Sequence, residues 1–304
     1  MQLPVTNPNP AAGETRVNIY GYVPSFSLGV ATVVLFALFL LSHLLFLVQS
    51  RRQQKRQRGI ATFETLFIIG CILEIIGYSF RLASHAHPYV LRNFILNYFM
   101  IVVSPVFFSA GLYYSFSLFV QGPHHTHLLP LSPRLLVGLF VVADVVTIVI
   151  QIVGAALIGV GESNLADGKV PAVTPGQANK ILTAGLAVQC ASFCAFLIIV
   201  FTFVWRFSAA KAHTRQPLAE EKQISANKAH HRRAYLFLVV LIASSLLVFL
   251  RTTFRLAEAS PGELSPISLN EHLFAALETA PVLAAVFLWS CLPLAWLLRE
   301  EDEL

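Results

Sequence analysis

The stretch LFIIGCILEIIGYSFR, residues 66–81, decides how this chain is read. It is apolar except for Glu74, Tyr78, Ser79 and Arg81. Glu74, Tyr78 and Arg81 stand four and three residues apart, the spacing that puts side chains on one face of a helix. A helix at a protein–water boundary keeps a broad polar face, whereas this one is apolar nearly all round with a narrow polar stripe. Such a segment belongs in a membrane, with its stripe turned away from lipid.

The rest of the chain has the same texture. Of 304 residues, 56% are hydrophobic and 12% charged, against about 25% charged in a soluble domain. Seven apolar blocks follow one another at 27–49, 62–83, 94–120, 134–160, 178–206, 234–257 and 273–298. Each is long enough to cross a hydrocarbon core, which takes roughly 20 helical residues. The alternating pattern of membrane β-strands is absent. The sequence therefore predicts an all-α integral membrane protein, a seven-transmembrane-helix bundle over 27–298, between an N-terminal tail at 1–26 and an acidic tail at 299–304. Pro105, Pro281 and Pro293 predict kinks.

Lysine and arginine set the orientation. Arg51, Arg52, Lys55, Arg56 and Arg58 crowd the first loop, and Lys211, Arg215, Lys222, Lys228, Arg232 and Arg233 the loop at 207–233. The opposite side has Arg16, Arg92, Lys169 and Lys180. The positive-inside rule then predicts the N-terminus outside and the C-terminus in the cytoplasm. The basic run reads as a solvated face near anionic headgroups, and no nucleic-acid partner is expected. The first 26 residues lack the basic start and compact apolar core of a cleaved signal. The final Glu301-Asp302-Glu303-Leu304, similar to a lumenal retention signal, falls on the cytoplasmic side. All four cysteines lie within spans, so no outer disulfide framework is expected.

Polar residues inside the spans are the candidates for function. They are Glu74, Tyr78 and Arg81 on helix 2; Asn97 on helix 3; Asp144 and Gln151 on helix 4; Gln189 on helix 5; Arg251, Arg255 and Glu258 on helix 6; and Glu271 and Glu278 on helix 7. Most fall in the outer half or near mid-depth, and the inner half is expected to hold only rim residues such as Glu64. An intramembrane Asp, Lys or Arg costs about 2.5–3.5 kcal/mol even on a lenient scale. These groups must therefore pair or face water, and Asp144 is too short to snorkel to an interface. The expectation is that the stripes join in one outward-facing polar cavity, with an acid–arginine pair between helices 2, 6 and 7. A purely structural network is the competing reading, although interhelical hydrogen bonds average only about 0.6 kcal/mol.

Read in order, several short marks form a pattern. They are Glu74-Ile75-Ile76-Gly77-Tyr78 with Arg81; Ser104-Pro105 followed by Tyr113; Asp144-Val145-Val146 with Gln151 and Gly154; Gly185-Leu186 with Gln189; Arg251 with Phe254-Arg255 and Glu258; and Glu271, Glu278 and Pro281. In these the chain resembles the fungal lipid-translocating exporter family, of the sphingoid long-chain-base exporter and aminocholesterol-resistance type, from about Tyr22 to Pro293. Ser104 stands where that family usually has Ala, Glu278 where it tends to have Asp, and Ala275 where it tends to have an aromatic residue. The basic residue usual near the end of helix 3 is missing around Phe119. The resemblance implies a plasma-membrane protein that exports or flips amphipathic lipids, such as long-chain bases or sterol-like amphipaths, and confers resistance to toxic ones. All twelve polar residues above become candidates for substrate binding. Asp144 is the first choice for a protonated amine, with Gln151 and Gln189 for hydroxyls.

Two other functions fit parts of the pattern. A lipid- or stress-sensing seven-helix receptor would share the topology and the outer polar site. The acidic-Arg-aromatic triplet ending helix 3 and the Asn-Pro of helix 7 common in receptors are absent: helix 3 ends SFSLFVQG and helix 7 ends CLPLAWLL. An intramembrane zinc hydrolase needs about three ligands at one depth, and only His43 of ten histidines lies within a span. The His124–His127 cluster reads as a solvated turn. No metal, cofactor, nucleotide or catalytic residue is expected, and no phosphate-binding glycine loop is present.

Overall fold

The computed structural model of the chain describes residues 7, 11, 20, 22–52, 58–121, 132–166, 170–213, 221–261 and 267–298. Most of the 1–26 tail, residues 53–57 of the basic run, the histidines at 124–127 and the 299–304 tail lie outside the described residues. The described residues form seven helices long and apolar enough to cross a membrane, and no strand. These are α1 Phe26–Arg52, α2 Arg58–Ala86, α3 Leu91–Val120, α4 Pro133–Ala166, α5 Pro175–His213, α6 Glu221–Ala259 and α7 Glu271–Cys291. A one-turn helix, α8, Leu294–Leu297, follows.

Two features differ from the sequence reading. Helices α5 and α6 overrun their apolar blocks, so that 207–213 and 221–233 are helical and not loop. These stretches contain Ala, Lys, Glu and Gln, good helix formers that let a helix run on past its buried part. Helix α7 ends at Cys291, short of residue 298. Pro293 disfavours helical backbone at the residue before it, and Leu292 sits at φ −123°, ψ 80°. Pro105, by contrast, stays inside a continuous α3.

Helices adjacent in sequence pack on one another, α7 closes the ring against α1, and α3 and α6 meet across it. Helix α3 is the most enclosed, with 56% of its most apolar stretch buried against 22% for α1. The core is aromatic: Phe63, Phe67, Phe108 and Trp289 interlock at centroid separations of 4.4–6.3 Å. Outward faces of α1 and α4 present Leu38, Leu45, Leu139 and Val142, each more than half exposed. That surface would be an aggregation hazard in water and is the ordinary exterior of a helix bundle in lipid.

Candidate functional site

The polar stripe of α2 meets those of α3, α6 and α7 in a buried ionic cluster. Glu278 is its centre. Its Oε1 lies 2.5 Å from Arg251 Nη2 and 2.9 Å from Arg255 Nη2. Arg255 Nη1 also donates to Glu258 Oε2 at 2.8 Å. One end of the cluster is closed by Arg81, whose Nη2 donates to Glu271 Oε1 at 2.7 Å and to the Tyr22 hydroxyl at 3.1 Å. Glu74 accepts a short hydrogen bond from Ser104 Oγ, and among the described residues it has no direct arginine pair.

The backbone explains part of this convergence. Pro105 has no N–H, so the carbonyl of Ile101 one turn earlier loses its helical partner. Arg251 Nη2 donates to that carbonyl at 2.6 Å. One guanidinium thus repairs α3 and neutralises α7. In α7, residues Ala275–Thr279 form a π-turn just before Pro281, the kind of widened turn common at functional sites. It buries Glu278 and Thr279 side by side, and Thr279 Oγ1 is 2.5 Å from the Tyr78 hydroxyl.

Aromatic rings and the chain's N-terminal segment finish the cluster. Arg81 lies 4.3 Å from the Phe274 ring centre and 5.6 and 5.7 Å from those of Tyr20 and Tyr22. Arg255 lies 5.2 Å from that of Tyr98. The Tyr20 hydroxyl donates to Ser84 at 3.2 Å and accepts from Asn97 Nδ2 at 3.0 Å. Ser25 N–H donates to Glu271 Oε1 at 2.8 Å. Burial pushes the Tyr20 and Tyr22 phenols above their ordinary range, so both stay protonated.

Three guanidinium groups (Arg81, Arg251, Arg255) face four carboxyl groups (Glu74, Glu258, Glu271, Glu278), one carboxyl in excess. Several polar atoms keep capacity for more hydrogen bonds: the three arginine Nε, Asn97 Oδ1 and both oxygens of Glu278. Glu278 therefore has close charge contacts without aligned hydrogen bonds.

A second polar group lies on the far side of α3. Tyr113 donates to Asp144 Oδ2 at 3.0 Å, while Asp144 Oδ1 has no hydrogen-bond partner among the described residues. The Tyr113 ring is held by Phe140, Phe193 and Phe196. Gln151 Nε2 donates to Gln189 Oε1 at 2.7 Å. These amides meet because α4 and α5 touch backbone to backbone: a Cβ at Gly154 would stand 2.7 Å from Leu182 N. Among the described residues no cation pairs with Asp144.

The structure thus brings Glu74, Tyr78, Arg81, Arg251, Arg255, Glu258, Glu271 and Glu278 together, with Asn97 reached through Tyr20. It sets Asp144, Gln151 and Gln189 apart from them. The sequence suggests one merged stripe; among the described residues no hydrogen bond or ion pair links the two groups. The sequence reading missed Ser104 as the partner of Glu74, Tyr20 and Tyr22 as a cover on Arg81, and Tyr113 on Asp144. It also missed His43 as the partner of Glu64, which is fully buried. A lone intraspan histidine one helix away was the available signal.

Fold and site define a polytopic membrane protein built around a buried, largely self-neutralised ionic cluster with a separate, cation-free carboxyl. Residues 67–301 match the family described as RTA1 like protein, and the chain belongs to that family. It is 28% identical over 287 residues to the sphingoid long-chain base transporter RSB1 of Saccharomyces cerevisiae, covering 88% of this chain and 71% of that one. It is 24% identical over 302 residues to Protein RTA1 of the same yeast, covering 94% and 88%. Against that yeast's Protein RTM1 it is 25% identical over 230 residues, covering 75% and 66%. No solved structure matches it.

Proposed function

We propose that this protein is a translocator of cationic amphipathic lipids of the sphingoid long-chain-base class, oriented with its N-terminus outside the plasma membrane, and that it protects cells from such lipids. The observation that carries this reading is the state of Asp144. Glu258, Glu271 and Glu278 already have guanidinium partners, whereas Asp144 has one oxygen on a phenol and the other without a partner. A buried carboxyl without a cation suits a ligand that brings its own. The Gln151–Gln189 pair lies seven residues farther along α4, about 10 Å, and suits the hydroxyls of a headgroup on its way to or from Asp144. The apolar exterior of α4 beside both is where the acyl tail stays in lipid. The long-chain-base name of the 28% identical relative supports this reading. A transport role assigns no catalytic step to any residue.

The test is Asp144→Asn, which keeps size and hydrogen-bonding capacity and removes the charge. Normal surface expression is expected, with loss of both phytosphingosine efflux and growth protection. Full efflux in a normally expressed variant rules out Asp144 as the amine partner.

A further inference from the structure

The end of the bundle opposite Arg81 contains a polar pair that the lipid site does not use. His43 Nδ1 of α1 lies 2.6 Å from Glu64 Oε2 of α2, with side chains 0% and 1% exposed. Ser290 Oγ of α7 lies 3.4 Å from His43 Nε2. The second carboxyl oxygen, Glu64 Oε1, has no hydrogen-bond partner among the described residues. Aromatic rings pack around the pair. Phe46 and Phe67 pack on the imidazole, and Phe108 of α3 and Phe237 of α6 close the layer against Phe67 and Trp289. Among the described residues, His43 is the ionisable group in contact with Glu64.

We infer that the His43–Glu64 pair is a proton-binding site that couples proton movement to lipid translocation, an inference that rests on the transport reading above. The separation of 2.6 Å is a hydrogen-bond length, so one proton is shared between ring and carboxyl. One histidine and one carboxyl are too few ligands for a resident metal ion. With one proton the pair is neutral overall and can stay in the apolar interior. Adding a proton leaves an imidazolium beside a carboxylic acid, and removing one leaves a carboxylate beside a neutral ring. Either state buries a net charge, which is costly without water. Proton exchange therefore favours a conformation that opens α1, α2 and α7 to water on this side.

The same helices hold the ionic cluster. Glu64 and Glu74 are ten residues apart on α2, about 15 Å, and α7 runs from Glu278 to Ser290. An opening at the His43–Glu64 end thus acts on elements fixed at the other. The charge balance is simple: one proton entering against one cationic amphipath leaving is electroneutral.

The experiment uses the full chain in proteoliposomes, with membrane potential clamped by potassium and valinomycin. The probe is N,N,N-trimethylsphingosine, whose quaternary nitrogen carries no exchangeable proton, so the lipid itself cannot move protons. Wild type should translocate the probe several-fold faster under an imposed pH gradient than at equal pH, with lumenal pH changing by about one proton per lipid. Glu64→Gln should exchange the probe at equal pH and lose the gradient effect. The double variant His43→Phe/Glu64→Leu removes the buried charges altogether, a change that buried ion pairs often tolerate, and serves if the single variant fails to fold. Wild-type exchange indifferent to the gradient, or a double variant that still responds to it, overturns the coupling and leaves the transport reading standing. Absence of any exchange by wild type overturns the transport reading, and the coupling with it.

Discussion

Arg251→Met should destabilise the bundle for two separable reasons. The first is electrostatic: Glu278 keeps only Arg255, 2.9 Å away and already committed to Glu258. Breaking one arm of a buried pair costs on the order of 3–5 kcal/mol, and the surviving Arg255 contact puts this case at the lower end. The second is backbone: the Ile101 carbonyl loses the donor standing 2.6 Å away. Ser104 Oγ is 3.3 Å from the same carbonyl, but its single hydroxyl proton is engaged by Glu74. An unsatisfied buried carbonyl costs about 1–3 kcal/mol. The two parts can be told apart because Pro105 created the second. Pro105→Ala restores an N–H that bonds Ile101 O within α3, so Arg251→Met should cost about 1–2 kcal/mol less in the Pro105→Ala background than in wild type. Thermal unfolding of purified protein in one detergent, read by loss of the monodisperse peak, gives the four corners of this cycle. Equal costs of Arg251→Met in both backgrounds would refute the link between the arginine and the proline. An Arg251→Met cost below about 1 kcal/mol would show that the cluster is not buried.

Other outcomes follow from single observations. Gly154→Val should cost at least about 1–3 kcal/mol, since even a Cβ meets Leu182 N at 2.7 Å and Cα at 2.9 Å and a packed interface resists overfilling; Gly138→Ala, with nothing within 4 Å, should be neutral or stabilising in the same melt. Tyr22→Phe removes one of two acceptors on Arg81 Nη2 and should cost about 0.5–1.5 kcal/mol; a loss as large as that of Arg81→Met would mean the ring, not the hydroxyl, holds the arginine. Cysteines introduced at Ser163 and Ser225 should be labelled from opposite sides of the membrane, outer and cytoplasmic respectively, and labelling from one side would break the orientation on which the outward site depends.

The fold was legible because each span repeats one signal. A run of twenty or more apolar residues has a single solution in lipid, a helix with its own hydrogen bonds satisfied, and seven runs make a bundle. Helix ends were less legible where no breaker punctuates the polar text, as at 207–213 and 221–233, or where a proline acts one residue early, as at Leu292. Which groups belong to the site was partly legible as well. A charge in lipid needs a partner, so Arg251, Arg255 and Glu278 announce themselves singly.

Partnership is what periodicity cannot carry. The stripe on α2 gives the face on which Glu74 lies, but not its level against α3, so Ser104 and not an arginine as its direct partner depends on an interhelical offset with no sequence period. The same holds for His43 and Glu64: each is visible alone, and only the packing of α1 on α2 brings them to 2.6 Å. Tyr20 and Tyr22 precede the first span in text that reads as a tail, and they pack where they do because the buried Arg81 takes aromatic and phenolic partners from them. One such link was within reach of physical reasoning. Pro105 must free the Ile101 carbonyl, a freed carbonyl in lipid must find a donor, and the spans hold few donors that reach across helices. Arg251 is one of them, 150 residues along the chain, so the demand was written in α3 even though its answer lay in α6.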